Sequence, residues 1–372
     1  MEPNISKTKH ATEASHDIDK KNGFGVALKE ERGQIQGPQK RIREESKSRR
    51  FKMVLSRRKA LQVGAGLGAA ALFDSRSLFG LGQQQLPLLT KAIPSNGERV
   101  PVIGLGSAGT FNLDVSSPEA REPLEVVRLF HELEGTVIDT APSYGRAEPF
   151  VGDAIQIIDA AEDLFLATKV NVQNEGVPAA LDQMNASSDT LGKRTIDLMQ
   201  VWNLGDNFQN LSDRYLAAHL EAVREWRSQG RARYVGITTS FSRQYDLIEA
   251  ALRQHELDFV QLDYSIGHRD AEETLLPLAQ ERGVAVMVNR PFTSGALFAS
   301  VAGRSLPGWA ADYDIESWGQ FFLKFIVSHP AVTVAIPATS DPGHLVDNMG
   351  ACRGSLLDAA ARRRMAEFYE SL

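Results

Sequence analysis

Three side chains that can hold or transfer a proton follow two short apolar runs in the middle of the sequence. Asp139 and Tyr144 follow the run that begins at residue 136, and Lys169 ends the run that begins at residue 164. A tyrosine hydroxyl ordinarily ionises near pH 10, and a neighbouring ammonium group favours the phenolate. We therefore expect Lys169 to lower the pKa of Tyr144, and Asp139 to keep Lys169 charged and fixed in position.

A tyrosine in this setting could protonate a carbonyl oxygen while a hydride arrives at the carbonyl carbon. Protein side chains cannot supply a hydride, so this chemistry requires a nicotinamide cofactor. A single Asp or Lys at the end of a strand is more often structural than catalytic. The three residues together predict one catalytic unit.

The elements that must position this unit are short apolar runs alternating with helical segments from about residue 86 onward. One such segment, 213–229, has apolar Leu216, Leu220, Val223 and Trp226 at helical spacing. Eight strand–helix repeats predict an α/β fold, a closed (β/α)₈ TIM barrel rather than an open doubly wound sheet. The predicted strands are 102–106, 136–139, 164–169, 198–201, 234–238, 259–263, 285–289 and 332–336.

Two further segments are expected to close the ends of this barrel. The runs 88–93 and 100–106 flank Ser95-Asn96-Gly97, which predicts an N-terminal hairpin that plugs the bottom. The long connection 290–330 is expected to lie over the catalytic end. Its aromatic residues, Trp309, Tyr313 and Trp318, either form a substrate lid or pack on the barrel wall.

The glycines of Gly104-Leu-Gly106-Ser-Ala-Gly109 match the G-x-G-x-x-G fingerprint of dinucleotide-binding sheets. In that motif the glycines open a helix whose N-terminus holds the pyrophosphate. The residues that follow, through Pro118, have no helical periodicity. The Rossmann interpretation therefore stands as the weaker alternative.

The charge is distributed unevenly along the chain. The net charge of the 372 residues is −6, but residues 1–52 carry 13 Lys or Arg against 8 Asp or Glu, and the remainder carries 28 against 39. Residues 1–52 have no sustained apolar period and are expected to be a disordered extension. If Met53 is the true start, this extension is not translated. The acidic remainder argues against nucleic acid as a partner.

Residues 53–80 have the layout of an export signal. Ser56-Arg57-Arg58-Lys59-Ala60-Leu61-Gln62 precedes an apolar stretch that ends at Phe73 and is too short for a stable transmembrane span. The paired arginines predict a twin-arginine-type signal, and hence the twin-arginine export machinery as a partner. The protein would then be periplasmic, or membrane-associated if the signal is not cleaved. The alternative is a basic-capped helix of a cytoplasmic protein.

The domain expected over residues 85–372 resembles the aldo/keto reductases from about residue 86 onward. The resemblance implies a barrel that binds NADPH or NADH and reduces a small aldehyde or ketone, or oxidises the alcohol. It also implies that Asp139, Tyr144 and Lys169 are three of the family's four catalytic residues. The matching segments are Ile103-Gly-Leu-Gly106, Ile138-Asp-Thr-Ala-Pro-Ser-Tyr-Gly145, Ala167-Thr-Lys169, Ile196-Asp-Leu-Met-Gln-Val201, Gly230-Arg-Ala-Arg-Tyr-Val-Gly-Ile237, Phe259-Val-Gln261 and Ile336-Pro-Ala-Thr-Ser340 with Asn348.

The fourth catalytic residue of the family, a histidine, is replaced here by Trp202. An indole N–H donates a hydrogen bond but has no titratable proton near neutral pH. We expect Trp202 and Asn203 to line the substrate pocket and reduction to be slower or different, unless Trp202 simply packs at the strand end. The alternative function is a catalytically weakened cofactor-binding or regulatory barrel.

The resemblance also assigns cofactor contacts. A nicotinamide carboxamide would be held by Thr238, Thr239 and Gln261, and its ring covered by Asn289 or Arg290. The adenosine phosphate would meet Thr339, Ser340, His344 and Asn348. Ala338 and His344 replace the usual Lys and Arg, so the choice between NADPH and NADH is open. Arg353 is either a substitute cation or, as we expect, a solvated surface arginine. The eight histidines lack ligand spacing, so no metal is expected.

Overall fold

A computed structural model of the chain describes residues 86–171, 176–202 and 213–372. The predicted extension and export signal, together with Asn203, lie outside these residues. The described strands form a two-stranded sheet and an eight-stranded sheet.

The N-terminal hairpin forms as predicted. Strands β1 (Thr90–Ala92) and β2 (Arg99–Pro101) pair antiparallel, and Gly97 takes a positive φ of 83° in the turn, a conformation that glycine adopts at little cost. Ile93 and Val100 belong to the apolar cluster inside the barrel. The hairpin therefore covers the end at which the barrel strands begin.

Eight parallel strands follow one another in sequence order around the larger sheet. Parallel bridges from Ile103 to Ala335 and from Gly106 to Ala338 join its first and last strands. The predicted (β/α)₈ barrel is confirmed. The strands are β3 (Leu105–Gly106), β4 (Val137–Asp139), β5 (Phe165–Val170), β6 (Ile196–Val201), β7 (Ala232–Thr238), β8 (Phe259–Asp263), β9 (Ala285–Asn289) and β10 (Val332–Ala335).

The closure explains two glycines of the G-x-G-x-x-G match. A Cβ on Gly104 would lie 2.8 Å from the Val137 carbonyl oxygen, and one on Gly106 would lie 2.9 Å from the Ile336 carbonyl oxygen. Both positions need glycine because neighbouring strands approach closely there. The following residues form turns rather than a helix, so the Rossmann interpretation is wrong.

Helices cover the outside of the barrel and bury one face each. In the helix that begins at Asp213, Leu220, Val223 and Trp226 are fully or almost fully buried, as the periodicity predicted. The helices are α1 (Arg121–Glu132), α2 (Ala147–Ile157), α3 (Gly176–Leu191), α4 (Asp213–Ser228), α5 (Tyr245–Gln254), α6 (Leu275–Arg282), α7 (Ala296–Ser300), α8 (Trp318–Val327), α9 (Pro342–Gly350) and α10 (Ala359–Glu370).

The barrel interior changes from apolar to polar along the strands. Near the hairpin, the rings of Phe165, Tyr234 and Phe259 pack with centroids 5.6 to 6.0 Å apart. Toward the carboxyl ends of the strands the buried side chains include Asp139 and Lys169. The fold therefore buries its charged groups at the end that forms the active face in (β/α)₈ barrels.

The connection 290–330 contains α7 and α8. Its aromatic residues pack on the barrel wall: Trp309 lies 6.0 Å from Phe321 and 5.9 Å from Phe368, and Trp318 lies 5.2 Å from Phe321, measured between ring centroids. These contacts favour the interpretation that the aromatic residues pack on the barrel. A lid formed by these residues over the site is not observed.

Candidate active site

A buried ion pair occupies the centre of the polar end of the barrel. Lys169 Nζ lies 2.8 Å from Asp139 Oδ1, 2.7 Å from Asp139 Oδ2 and 2.8 Å from the Thr140 carbonyl oxygen. Asp139 ends β4 and Lys169 lies near the end of β5, and these strands pair side by side. The sequence prediction that Asp139 fixes Lys169 is matched by this geometry.

Two glutamine side chains complete the environment of the Asp139 carboxylate. Gln200 Nε2 and Gln261 Nε2 donate to Asp139 Oδ1 over 3.2 and 2.8 Å. The carboxylate therefore accepts from two amides as well as from an ammonium group. A buried charge needs this degree of hydrogen bonding to remain ionised.

Tyr144 lies in the turn after β4, where its backbone N–H donates to the Ala141 carbonyl oxygen over 3.1 Å. The Lys169 ammonium lies 4.9 Å from the centre of the Tyr144 ring. Lys169 and Trp202 both lie close enough to the Tyr144 hydroxyl to lower its pKa. The structure therefore brings together Asp139, Lys169, Tyr144 and Trp202.

Burial decides the direction in which the pKa of Tyr144 moves. Loss of solvation raises the pKa, and this exceeds the lowering by Lys169, so the net shift is upward. The expected lowering of the Tyr144 pKa was wrong in its net direction. Burial also lowers the pKa of Lys169, but Asp139 and Tyr144 reverse that effect, so the ammonium form is favoured.

Trp202 follows β6 directly, and its backbone N–H donates to the Val170 carbonyl oxygen over 3.1 Å. Trp202 is not among the residues that line the cavity in front of Tyr144. The prediction that Trp202 lines the substrate pocket stays a prediction.

A cavity of about 490 Å³ opens in front of Tyr144 at the carboxyl ends of the strands. Three predicted cofactor residues, Gln261, Asn289 and Arg290, line it. Sequence analysis assigned no role in the site to several other lining residues, because none of them carries a titratable side chain. The missed residues are Gly106, Ala108, Gly109, Thr110, Ser240, Pro291, Phe292, Ser294, Gly295, Phe298 and Ile336.

The wall formed by Asn289 fits an amide-bearing ligand. Asn289 Nδ2 donates to the Thr239 carbonyl oxygen over 2.8 Å and to Gln261 Oε1 over 3.3 Å. Asn289 Oδ1 is buried and has no hydrogen-bond partner among the described residues. A ligand donor such as a carboxamide N–H₂ would supply the hydrogen bond that this buried acceptor lacks. The residues present therefore fit a nicotinamide.

Thr238 and Thr239 are buried beside this wall. The Thr239 hydroxyl hydrogen bonds to Gln244 and to the Phe241 carbonyl oxygen within its own loop. The cavity-lining residue of this loop is Ser240.

Arg290 projects from a strained loop at the cavity edge. Its φ of 48° is positive, as are those of Thr293 and Ser294, at 49° and 54°. Arg290 Nη1 donates to the Ser240 carbonyl oxygen over 3.2 Å, and the guanidinium lies 5.2 Å from the Phe241 ring centre. Positive φ costs free energy in non-glycine residues and is found mostly at functional sites.

The segment after β10 places its predicted residues at different depths. Ala338 lines the cavity, the Thr339 hydroxyl accepts from the Asp341 backbone N–H, and Ser340 and His344 are exposed. Asp341 caps α9 by accepting from the backbone N–H groups of Gly343 and His344. Asn348, also predicted here, is buried within α9.

Arg353 cannot serve as a substitute phosphate ligand. Its side chain is buried and donates to Glu134 Oε2 over 2.8 Å and to the Leu133 carbonyl oxygen over 2.9 Å. Both interpretations of Arg353 from the sequence, a substitute cation and a solvated surface arginine, are wrong, because its buried guanidinium joins the segment after α9 to the residues that follow α1.

Sequence reasoning did not single out Glu148, a buried carboxyl beneath the site. Thr168 and Ser187 donate to its two oxygens. Burial raises the pKa of Glu148, and the hydroxyl donors and Lys169 oppose the shift. Glu148 follows Tyr144 by four residues, and only the strand–helix packing shows that it lies behind Thr168.

Within residues 86–171, 176–202 and 213–372, no group of three or more His, Cys, Asp or Glu could hold a metal ion. In the same ranges, no helix is both long and apolar enough to cross a bilayer.

The fold and the site define a (β/α)₈ barrel with a buried acid–base cluster at the carboxyl ends of its strands. The model of the aldo/keto reductase family matches residues 102–370, which is more than half of the chain. The chain belongs to the aldo/keto reductase family and is an NAD(P)(H)-dependent oxidoreductase.

The chain is similar over most of its length to individual aldo-keto reductases. It is 24% identical over 335 residues to the NADH-specific methylglyoxal reductase of Escherichia coli (strain K12), covering 77% of this chain and 99% of the relative. It is 26% identical over 328 residues to aldo-keto reductase str7 of Strobilurus tenacellus, covering 77% and 94%. An aldo-keto reductase of Klebsiella pneumoniae in complex with NADPH superposes with a TM-score of 0.61 at 24% identity, covering 76% and 96%.

Proposed function

We propose that this chain reduces a small aldehyde or ketone, with Tyr144 as the proton donor. The observation that carries the proposal is the position of Tyr144, which lines the cavity and has the Lys169 ammonium 4.9 Å from the centre of its ring. The bound nicotinamide cofactor supplies the hydride. Tyr144 gives its proton to the carbonyl oxygen as negative charge develops there. The raised pKa of Tyr144 keeps its hydroxyl protonated at neutral pH before this transfer.

Lys169 and Asp139 prepare Tyr144 for this transfer. The Lys169 ammonium stabilises the negative charge that develops on the phenol oxygen. Asp139 holds the ammonium through two contacts of 2.7 and 2.8 Å, so little reorganisation is needed when the proton moves. Because this environment is buried, each of these interactions is stronger than it would be in water.

The cofactor residues proposed for this chain are those around the cavity and beyond Ala338. Gln261 and Asn289, with Thr238 and Thr239 behind them, would hold the carboxamide, and Arg290 would cover or flank the ring. The adenosine end would extend past the cavity edge toward four residues of the segment after β10 and of α9. These are Thr339, Ser340, His344 and Asn348.

The proposed substrate class is based on the residues that line the cavity and on the activity of a related protein. The cavity has aromatic walls, Phe292 and Phe298, whose ring centroids are 4.9 Å apart. The relative from Escherichia coli (strain K12) is an NADH-specific methylglyoxal reductase. A compact aldehyde or dicarbonyl fits this combination of an apolar wall and a single proton donor.

The test is oxidation of NADH and NADPH by purified protein with a panel of aldehydes, quinones and dicarbonyls, followed by absorbance. Turnover that disappears in Tyr144→Phe, while cofactor binding is retained, supports the proposal. Turnover at the wild-type rate in Tyr144→Phe contradicts it.

A second candidate function is a cofactor-binding or regulatory barrel with weakened catalysis. The observation that favours it is Trp202, which stands where the family has a histidine and cannot relay a proton. Tight cofactor binding together with no turnover on the same panel would support this candidate over the first.

We also propose that residues 53–80 act as a twin-arginine-type signal and send the protein to the periplasm, or to the membrane if the signal remains uncleaved. The support is the pair Arg57-Arg58 before a short apolar stretch. Fractionation of cells carrying the tagged full chain tests this, with Arg57→Lys/Arg58→Lys as the matched control. Equal cytoplasmic retention of both proteins would favour the cytoplasmic alternative.

A further inference from the structure

We infer that Gln200 is a positioning residue: its side-chain amide holds the Asp139 carboxylate, and through it the Lys169 ammonium, in place beside Tyr144. This inference rests on the proposed function of Tyr144 as the proton donor. Gln200 is fully buried and is not among the described residues that line the cavity in front of Tyr144. It can therefore act on the reaction only through Asp139.

The strands place Gln200 beside the acid–base cluster. On β6 it pairs in register with Lys169 of β5 on one side and with Gly236 of β7 on the other. A Cβ on Gly236 would lie 3.2 Å from Gln200 Cγ and 3.1 Å from Phe259 Cβ, which is tighter than side chains normally pack. Gly236 therefore leaves the room in which the Gln200 side chain extends toward Asp139.

Hydrogen bonding determines which way the Gln200 amide points. Its Nε2 donates to Asp139 Oδ1 over 3.2 Å, whereas its Oε1 is buried without a hydrogen-bond partner among the described residues. Turning the amide over would bring Oε1 against a carboxylate oxygen, and two acceptors repel each other. Gln200 therefore keeps its contact with Asp139 and leaves its own oxygen unsatisfied.

This arrangement contributes little to the stability of the fold. A buried acceptor without a partner costs about as much free energy as a hydrogen bond to a charged group contributes, so the two ends of the Gln200 amide nearly cancel. Asp139 also has other donors, the Lys169 ammonium and the Gln261 amide. An apolar side chain of similar size at position 200 would therefore leave the fold about as stable. The amide acts on the site rather than on the fold.

The position of Asp139 determines where the Lys169 ammonium lies. The N–H bonds of this ammonium go to Asp139 Oδ1, Asp139 Oδ2 and the Thr140 carbonyl oxygen, and the ammonium lies 4.9 Å from the centre of the Tyr144 ring. When Tyr144 loses its proton, the stabilisation of the resulting charge by Lys169 depends on their separation. A carboxylate that Gln200 also holds moves less, so the ammonium stays close to that charge.

The first test compares Gln200→Met with Gln320→Met in the full-length protein. Gln320 of α8 is also buried, but both ends of its amide are satisfied. Its Oε1 accepts from the Glu316 backbone N–H over 2.9 Å, and its Nε2 donates to Asp347 Oδ1 over 3.0 Å. It is therefore a matched control for the loss of a buried glutamine.

In Gln200→Met we expect kcat for carbonyl reduction to fall about tenfold, because a hydrogen bond to a charged group of the site is lost. KM and cofactor affinity should change less than about twofold, and Tm should stay the same or rise. In Gln320→Met we expect the opposite result, a lower Tm with kcat unchanged, because two satisfied hydrogen bonds of the fold are lost.

The second test uses pH. Gln200→Glu puts a carboxyl group where the amide lies, and burial together with the Asp139 carboxylate raises the pKa of that group. While protonated it can donate to Asp139 as the amide does, and once ionised it repels Asp139. We expect kcat of Gln200→Glu to approach that of the wild-type protein at acidic pH. As the pH rises, kcat should fall about tenfold or more, in a step that the wild-type protein lacks.

The Tm of Gln200→Glu should fall relative to that of the wild-type protein over the same pH range. A raised pKa in the folded state contributes stability at low pH that is lost as the pH rises through the folded-state value. The other groups of the cluster are the same in both proteins. The titratable ones are Asp139 from β4, Lys169 from β5 and Tyr144 from the turn after β4, while β7 and β8 contribute Gly236 and Gln261, which do not titrate.

Wild-type kcat in Gln200→Met would overturn the inference. So would a fall in Tm as large as that of Gln320→Met, because the amide would then stabilise the fold. If Gln200→Met does not fold, Gln200→Leu is measured in its place, and failure of both to fold would overturn the inference in the same way.

The pH dependence separates this inference from the proposed function. If kcat and Tm of Gln200→Glu run parallel to the wild-type values at every pH, residue 200 does not act on Asp139 and the inference is wrong. A wild-type protein without turnover contradicts the proposed function, while the Tm of Gln200→Glu against pH still tests the contact with Asp139.

Discussion

Lys169 Nζ lies 2.7 Å from Asp139 Oδ2 across two neighbouring strands, and the two side chains expose only 1% and 4% of their surface. Moving two charges out of water carries a large desolvation penalty unless each finds its partner. The same carboxylate accepts from Gln200 and Gln261. The acid–base cluster is therefore a mutually dependent unit rather than a set of separate residues.

This dependence predicts non-additive losses of stability. Asp139→Asn or Lys169→Met alone should reduce the free energy of unfolding by about 3 to 5 kcal/mol, because each leaves an uncompensated buried charge. The double variant should lose clearly less free energy of unfolding than the two single variants lose together. Urea unfolding of the four proteins measures the coupling, and strictly additive losses would show that the pair does not act as a unit.

Glu148 gives a prediction on how stability depends on pH. Burial raises its pKa in the folded state, so its contribution to stability is fully present below the ordinary pKa of a glutamate and is lost as the pH rises through the folded-state value. Glu148→Gln keeps the amide oxygen for Thr168 and removes the charge. The Tm of this variant should exceed that of the wild-type protein by a growing margin from about pH 4 to pH 7.

Calorimetry across this pH range checks the Glu148 prediction. A constant Tm difference at every pH would mean that the Glu148 carboxyl does not change its protonation on unfolding. Glu249→Gln is a suitable control, because Glu249 is a surface residue that pairs with Arg253.

The preference between the two cofactors should respond to residue 338. Ala338 is exposed at the cavity edge, where a 2′-phosphate would gain a charge-assisted contact from a lysine. Ala338→Lys should therefore strengthen NADPH binding about five- to tenfold and leave NADH binding nearly unchanged. Fluorescence titration with both cofactors measures this.

Arg353→Met is the matched control for the cofactor experiment. Its guanidinium is occupied by Glu134 and the Leu133 carbonyl oxygen, so removal should lower stability without altering the ratio of the two affinities. A selective loss of NADPH affinity in Arg353→Met would contradict the assignment of Arg353 to a structural contact.

Much of the barrel was predictable because its signals are local. Strands buried on both faces appear as short apolar runs, and the polar residues that end these runs, Asp139 and Lys169, meet at one edge of any parallel barrel. The hairpin was predictable from Asn96-Gly97. These predictions need only the order of residues along one element or two neighbouring ones.

The remaining features depend on packing between distant segments. The pKa of Tyr144 moves upward because burial outweighs the nearby ammonium, and the degree of burial is a property of the whole barrel. The roles of Trp309 and Arg353 follow from contacts with α8, α10 and α1, which no local pattern encodes. The cavity-lining loop after β9, with Phe292 and Phe298, likewise takes its shape from positive φ angles at Arg290, Thr293 and Ser294.

The central claim is that Tyr144 delivers the proton to a carbonyl oxygen. The most direct measurement is single-turnover oxidation of pre-bound NADH or NADPH by methylglyoxal, in the wild-type protein and in Tyr144→Phe. We expect rapid oxidation in the wild-type protein and a loss of at least about a hundredfold in Tyr144→Phe, with cofactor affinity unchanged. Equal single-turnover rates in the two proteins would contradict it.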